Sequence, residues 1–242
     1  MSQRILVTGP IGSMEDWISA AAGGGWEPTA WPLISVRVLE VDLVELIDGL
    51  PGHICVTSKS ALHSLEAACQ QLPELRTVPA AVVGNRTAAS LESIGLHPRI
   101  VREEGARELA DALLEELGED APGHRVLWPR GSISNELAIL LREAGLVVDD
   151  PIVYQTEPCT HEEPAPDAEA VFFASPSAVR AWSGSTPVPL AIAIGATTRA
   201  ALVEAGEDRF PLVEMLETPR PASLTSLLEG RSSRVDPERQ PG

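Results

Sequence analysis

Two stretches of this chain place the same functional groups in the same order. In the first, Ile54-Cys55-Val56-Thr57-Ser58-Lys59-Ser60-Ala61 is followed by Val83-Gly84-Asn85-Arg86-Thr87-Ala88. In the second, Val171-Phe172-Phe173-Ala174-Ser175-Pro176-Ser177-Ala178 is followed by Ile194-Gly195-Ala196-Thr197-Thr198-Arg199. Each reads as a buried strand that runs into hydroxyl residues and a helix. A second strand then passes through Gly-x-x-Thr into another helix. Hydroxyl residues at such junctions cap helix N-termini. The free backbone N–H groups and partial positive charge of those termini attract carboxylates or phosphates. Gly84 and Gly195 would let backbone approach such a group closely. Two copies facing each other would line a cleft suited to a ligand with many carboxylates. Taken singly, Thr57, Ser58 and Ser175 serve equally well as plain caps; the paired occurrence is what favours a shared ligand.

Tyr154 is the only tyrosine in the chain. It stands at a strand end beside a Pro- and Glu-rich connector, where a phenol can donate a proton to a ligand or act as a half-buried anchor with a wet hydroxyl. Arg86, Arg130 and Arg199 fall at the expected cleft edge. Arg86 and Arg199 lie in first helical turns, where the helix dipole disfavours a cation; ligand contact would explain them, and so would a solvated surface. No Gly-x-Gly-x-x-Gly follows a strand and no phosphate-loop pattern is present; the nucleophile-elbow pattern is missing too. The five histidines are scattered without ligand spacing, and His161-Glu162-Glu163 is expected to be solvated. The residues therefore call for no metal and no cofactor.

Composition narrows the partners. The 242 residues carry a formal net charge of −17, and Lys59 is the only lysine, the other cations being arginines. A nucleic-acid backbone demands a broad basic surface, so nucleic acid is excluded as the main partner, and anionic membranes with it. Helix N-termini bind anions without lysine, which reconciles an acidic protein with an acidic small-molecule ligand. No stretch reaches the ~20 apolar residues of a spanning helix, and the start of the chain lacks the apolar run of a signal peptide. The three cysteines, Cys55, Cys69 and Cys159, have no metal-like spacing, and Cys55 reads as a small buried hydrophobe. The cytoplasm is the expected compartment. A monomer is expected, since no heptad or long exposed apolar run is present.

The elements that must position these groups alternate between strand and helix. Strands are predicted near 4–7, 29, 54–56, 80–83, 99–101, 125–128, 147–154, 170–173, 190–194 and 210–213. Helices are predicted near 13–22 (capped by Ser13), 39–47, 59–70, 87–94, 106–117, 134–144, 176–182, 198–205 and from Ser223 onward. Residues 157–167 read as a connector and 231–242 as a disordered tail. Such alternation predicts α/β architecture with parallel sheets covered by helices. The duplication predicts two similar lobes, because Leu6-Val7-Thr8-Gly9-Pro10 also echoes Leu127-Trp128-Pro129-Arg130-Gly131.

In this order the motifs resemble the uroporphyrinogen-III synthase family. The match runs from the opening strand through Thr57–Ala61 and Val83–Ala88 to Arg130-Gly131, which would open the helix ending at Ala144-Gly145. It continues through Val153-Tyr154-Gln155-Thr156, Phe173–Val179 and Ile194–Thr198. The resemblance implies two similar lobes, each a parallel sheet flanked by helices, built from 1–35 plus 158–242 and from 38–154. A two-stranded linker near 33–39 and 151–157 would join them as a hinge. It implies cofactor-free cyclisation of the linear tetrapyrrole hydroxymethylbilane, with inversion of ring D through a spiro intermediate, to uroporphyrinogen III. Tyr154 would be the proton donor. Thr57, Ser58, Gly84, Thr87, Arg130, Ser175, Ser177, Gly195, Thr197 and Thr198 would bind the substrate. Gly9 stands where the family's opening strand often has arginine, and Lys59 is unusual beside the Thr-Ser pair. A non-catalytic two-lobed binding protein for a polycarboxylate, or an inactive paralogue, shares most of these features; the tyrosine at the linker and the doubled hydroxyl set favour the enzyme.

Overall fold

The computed structural model describes residues 3–10, 12–103, 105–184 and 187–232. The expected tail thus lies, beyond Ser232, outside the described residues. In chain order the elements are β1 (Arg4–Thr8), α1 (Glu15–Gly23), β2 (Glu27–Ala30), β3 (Ile34–Val38), α2 (Leu43–Leu46), β4 (His53–Val56), α3 (Leu62–Gln71), β5 (Pro79–Val83), α4 (Asn85–Ser93), β6 (His97–Arg102) and α5 (Ala106–Leu117). Then follow β7 (Arg125–Leu127), β8 (Arg130–Gly131), α6 (Glu136–Glu143), β9 (Val147–Asp149), β10 (Ile152–Pro158), β11 (Ala170–Phe173), α7 (Pro176–Ala181), β12 (Leu190–Ala193), α8 (Ala196–Ala205), β13 (Val213–Met215) and α9 (Pro221–Ser232). The chain divides into two compact units. Unit 1 combines Met1–Ser35 with Glu157–Gly242, and unit 2 is Val36–Thr156.

Unit 1 holds a five-stranded sheet of order β13-β12-β11-β1-β2, and unit 2 one of order β6-β5-β4-β7-β9. All of the neighbouring pairs are parallel. The two orders correspond strand for strand, β11 to β4 and β1 to β7. Unit 1 takes its back half from late in the chain, while unit 2 is continuous. The chain passes between the units within β3 and β10, neighbours in a three-stranded sheet of order β3-β10-β8.

Burial on both faces explains the near-continuous apolar strands. Successive side chains of a strand point to opposite faces. In unit 2, Ile54, Val56, Ala80 and Val82 pack with Leu65 and Leu91, whereas Cys55, Ala81 and Val126 pack with Leu109, Leu113, Leu137 and Leu141. In unit 1, Ile5, Val7, Phe172 and Ile192 join Trp17, Ala21 and Leu224; Leu6, Val171, Phe173 and Ala191 join Val179, Leu202 and Phe210. Burial pushes the Cys55 thiol up to about 12, so it is an inert core residue as expected.

Several local expectations give way to tertiary context. Ser13 does not cap α1; its hydroxyl donates to the Pro10 carbonyl at 2.9 Å, and Met14 precedes the helix with no side-chain cap. The helix expected over 39–47 is a single turn capped by Asp42, because Leu39 N–H instead donates to the Val153 carbonyl at 2.9 Å. The one strand expected over 147–154 is two. Pro151 interrupts the ladder, so β9 stays in the five-stranded sheet and β10 moves to the three-stranded one. Arg130-Gly131 opens no helix but forms β8 beside β10. Phe210 lies outside β13 and is buried in the core. His161 is not simply solvated: it stacks on Trp31 with ring centroids 3.9 Å apart and lies 2.6 Å from the Pro32 carbonyl.

Candidate functional site

In a parallel α/β sheet, ligands bind beyond the carboxyl ends of the strands. In unit 2 those ends deliver Thr57 and Ser58 after β4, Gly84 after β5, and Trp128 and Arg130 after β7. A pocket of ≈ 160 Å³ lies there, lined by Thr57, Trp128, Arg130, Gly131, Ser134 and Tyr154, with Ile133 and Thr156. That is well below the roughly 300–1,000 Å³ of a pocket for a whole drug-sized ligand. It suits one arm of a larger molecule, such as a carboxylate side chain.

Tyr154 reaches the pocket by way of β10. Its ring packs on the apolar cluster that includes Ile54 and Leu65, and its flank lies against Gly131. A Cβ added at Gly131 would come 2.7 Å from Tyr154 Cζ, so a larger residue would displace the ring. The β8–β10 register shifts between Ile152 and Tyr154. Such an irregularity re-aims a side chain. Among the described residues the Tyr154 hydroxyl has no hydrogen-bond partner, which leaves it able to serve a ligand.

Thr57 is not a cap. Its Oγ1 accepts from Trp128 Nε1 at 3.3 Å. An indole N–H only donates, so the Thr57 hydroxyl proton remains available for an anion. The cap is Ser58, whose Oγ accepts from Ser60 N–H at 3.2 Å and starts a 3₁₀ turn, Lys59–Ala61, ahead of α3. Lys59 in that turn is exposed. Gly84 precedes α4 with φ +86°, a left-handed conformation that favours glycine. Thr87, in the first turn of α4, is buried at 9% exposure.

Arg130 is held on several sides. Its Nε donates to Asp150 Oδ2 at 2.8 Å, its Nη1 to the carbonyls of Gly131 and Ser134 at 3.1 and 3.4 Å, and its Cζ lies 5.8 Å from the centre of the Trp128 ring. Burial works against charge on the Asp150 carboxyl. The hydrogen bonds and charges of Arg130 and Arg142 outweigh it and hold Asp150 below the usual carboxylate range. Sequence reasoning missed Trp128, Asp150 and Arg142. One signal was present: Trp128 sits in the stretch that echoes the strand end at Thr8.

Unit 1 presents the second hydroxyl set at the ends of its own strands. Ser175 Oγ accepts from Ala178 N–H at 3.2 Å and caps α7; Ser177, two residues on, is half-buried. Gly195 before α8 has φ −169°, an extended conformation open to any residue. Thr197 is exposed. Thr198 is 1% exposed, and its Oγ1 has no hydrogen-bond partner among the described residues. Gly9 is buried, and a Cβ there would meet Met14 Cγ at 3.4 Å and Ala174 Cβ at 3.6 Å.

At the opposite end of the unit 2 sheet, His53 Nδ1 lies 2.9 Å from His124 Nε2 and His53 Nε2 lies 3.4 Å from Glu116. Burial and then the neighbouring His124 push the His53 pKa down, with Arg99 adding to them and Glu116 opposing them. Among the described residues no cluster of three or more His, Cys, Asp or Glu could hold a metal ion, and no helix is long and apolar enough to cross a membrane.

Comparison with known proteins adds a family. The family model described as Uroporphyrinogen-III synthase HemD matches residues 15–224. The chain is similar in structure to a mutant uroporphyrinogen III synthase from the extremely thermophilic bacterium Thermus thermophilus, at TM-score 0.62 and 19% identity, covering 98% of this chain and 100% of that one. It is also similar to uroporphyrinogen-III synthetase from Helicobacter pylori, at TM-score 0.65 and 18% identity, covering 96% of this chain and 100% of that one. None of the curated protein sequences matches.

Proposed function

Because this chain belongs to the uroporphyrinogen-III synthase family, we propose that its unit 2 pocket carries the proton chemistry of a cofactor-free lyase that converts hydroxymethylbilane to uroporphyrinogen III. The observation that carries this reading is the placement of the only tyrosine, its hydroxyl without a partner among the described residues, in a pocket shared with a held arginine and a threonine whose hydroxyl accepts from Trp128.

The reaction needs little from the protein beyond folding the substrate and helping water to leave. The pyrrole nitrogen beside the terminal hydroxymethyl group pushes out the hydroxyl as Tyr154 donates a proton to it. The C–O bond breaks, water departs and an azafulvene electrophile remains. Ring D attacks through its substituted carbon to form the spiro intermediate. That intermediate fragments and recloses with ring D inverted, and loss of one proton restores aromaticity and the Tyr154 phenol. The balance is one water lost, with no oxidant or reductant. Holding nucleophile and electrophile together against simple closure to the type I isomer is proximity catalysis.

The eight carboxylates of the substrate require anion sites. In unit 2 we assign these to Arg130, to the hydroxyls of Thr57, Ser58 and Thr87, and to the backbone at Gly84. In unit 1 we assign Ser175, Ser177, Gly195, Thr197 and Thr198. The Thr198 hydroxyl, buried without a partner among the described residues, supports a ligand-facing role, since an unsatisfied buried hydroxyl is costly. We further propose a cytoplasmic monomer that binds neither nucleic acid nor membrane. The free cysteines Cys55, Cys69 and Cys159 fit a reducing compartment, and size-exclusion chromatography with light scattering tests the monomer.

An isomer assay tests the function. Hydroxymethylbilane is generated in situ with and without the protein, the products are oxidised, and the type I and type III porphyrins are separated. Type III product that scales with protein supports the synthase. Type I alone from folded protein rejects it in favour of a binding role.

A further inference from the structure

The charge around Arg130 is arranged in a way that its pocket position alone does not require. Asp150 follows β9 and precedes Pro151, whose carbonyl accepts from the Arg130 backbone N–H at 2.9 Å. Main chain and side chain of Arg130 are therefore both tied to the Asp150-Pro151 corner. The carboxylate is used twice: Oδ2 accepts from Arg130 Nε at 2.8 Å, and Oδ1 accepts from Arg142 Nη2 at 2.5 Å. Arg142 projects from α6 and also donates to the Val148 carbonyl at 2.8 Å.

A guanidinium has five N–H donors. Arg130 engages Asp150 through Nε and two carbonyls through Nη1. Among the described residues its Nη2 makes no hydrogen bond, so one edge of the fork stays free. A carboxylate paired with a single arginine would cancel that arginine's charge. Here one carboxylate serves two arginines, so the trio carries a net charge of about +1 with all three side chains ionised. That local positive charge stands in a chain of net charge −17. Asp150 and Arg130 side chains are only 16% and 15% exposed, whereas Arg142 is 49% exposed. The sheltered pair sets geometry, and the outer arginine supplies the compensating charge.

We propose that Asp150 and Arg142 are positioning residues for substrate binding. Asp150 aims the Arg130 guanidinium at the pocket beside Tyr154, and Arg142 shares the carboxylate so that Arg130 keeps a net positive charge for a substrate carboxylate. This rests on the functional reading given above.

The test is steady-state kinetics of type III formation with hydroxymethylbilane generated in situ, for the wild type, R130M, D150N, R142M and the double variants D150N/R130M and R142M/R130M. Loss of a contact made equally in ground and transition states raises KM and spares kcat. R130M and D150N are each expected to raise KM about tenfold with kcat within about twofold, and R142M about threefold. On the R130M background neither second substitution raises KM further, because both act through Arg130; a residue needed only for folding would not show that loss of effect. Unchanged KM in D150N, or effects that add to R130M, overturns the proposal. If D150N does not accumulate as folded protein, R142M decides on the same criterion. A wild type that forms only type I product overturns the functional reading and this inference with it. A wild type that forms type III while the variants keep its KM overturns this inference alone.

Discussion

The two units share a strand order and differ in where they put their aromatic residues and their functional groups. Unit 1 builds its core with aromatic rings: Trp17 lies 4.6 Å from Phe172, and Phe173 makes edge contacts with Trp182 and Phe210. All three phenylalanines of the chain are there. Unit 2 builds its core mostly from Leu, Ile, Val and Ala, and its one tryptophan and one tyrosine pack on that core where it borders the pocket. The cation follows the same division. After β7, unit 2 carries Arg130; after β1, the echoing stretch of unit 1 has Gly9 and Pro10. One duplicated framework thus supplies hydroxyls, which we propose as anion sites, at both sets of strand ends, but the phenol and the held arginine only once. A doubled fold need not mean a doubled active site, because chemistry depends on a few side chains at strand ends while the fold depends on the apolar pattern beneath.

The largest effect should come from Tyr154→Phe. If the proton donor belongs to unit 2 alone, kcat for type III formation falls about 100-fold with KM little changed. Full activity would remove the sharpest distinction between the units.

The two glycines come next. Ala at Gly84 must adopt φ +86°, at a cost of about 2 kcal/mol. Ala at Gly195 keeps an extended φ and would meet nothing within 4 Å, so its stability should stay within about 0.5 kcal/mol of wild type. Urea unfolding of the two variants checks the contrast, and equal losses would refute it.

Thr198→Val probes the hydroxyl that lacks a partner among the described residues. Removing a buried unpaired hydroxyl should raise stability by about 1 kcal/mol while KM for the substrate rises. A gain in stability without a change in KM would strip Thr198 of its proposed role.

The smallest effect is a pH dependence confined to unit 2. Burial and His124 lower the His53 pKa in the folded state. The unfolded chain then binds more protons below the ordinary histidine value near 6.5. The stabilisation is complete above that value and is lost as pH falls through it toward the folded pKa. Hydrogen exchange of the β4 amides should therefore quicken relative to the β11 amides between about pH 7.5 and 5.5, and His53→Gln should flatten that difference.

Much of this was legible because periodicity and helix stops are local. The apolar runs at 54–56 and 170–173 are buried strands, and Leu109 and Leu113 mark the inner face of α5. Ser175 caps its helix as its position before Pro176 suggested. Errors fell where a local signal competes with a distant partner. Leu39 fits a helical stripe but pairs with Val153. Pro151 reads as a flaw in one strand but is where the chain changes sheets. Thr57 and Ser58 are indistinguishable as caps until Trp128 takes the first as its acceptor. Sequence order carried the hydroxyls, Arg130 and Tyr154 as candidates, and it could not carry Asp150 or Arg142, which look like surface charges until they meet on one arginine.

The sequence by itself determined the alternation of strand and helix, the duplication and the ordered motifs of the family. Those properties rest on local propensity and on patterns repeated along the chain. Tertiary structure alone decided that Gly131 lies under the Tyr154 ring, that a register shift separates Ile152 from Tyr154, and that one carboxylate serves two arginines. Each of these depends on the approach of residues 8 to 23 positions apart, and that approach exists only once the sheets have formed and set their strands in register.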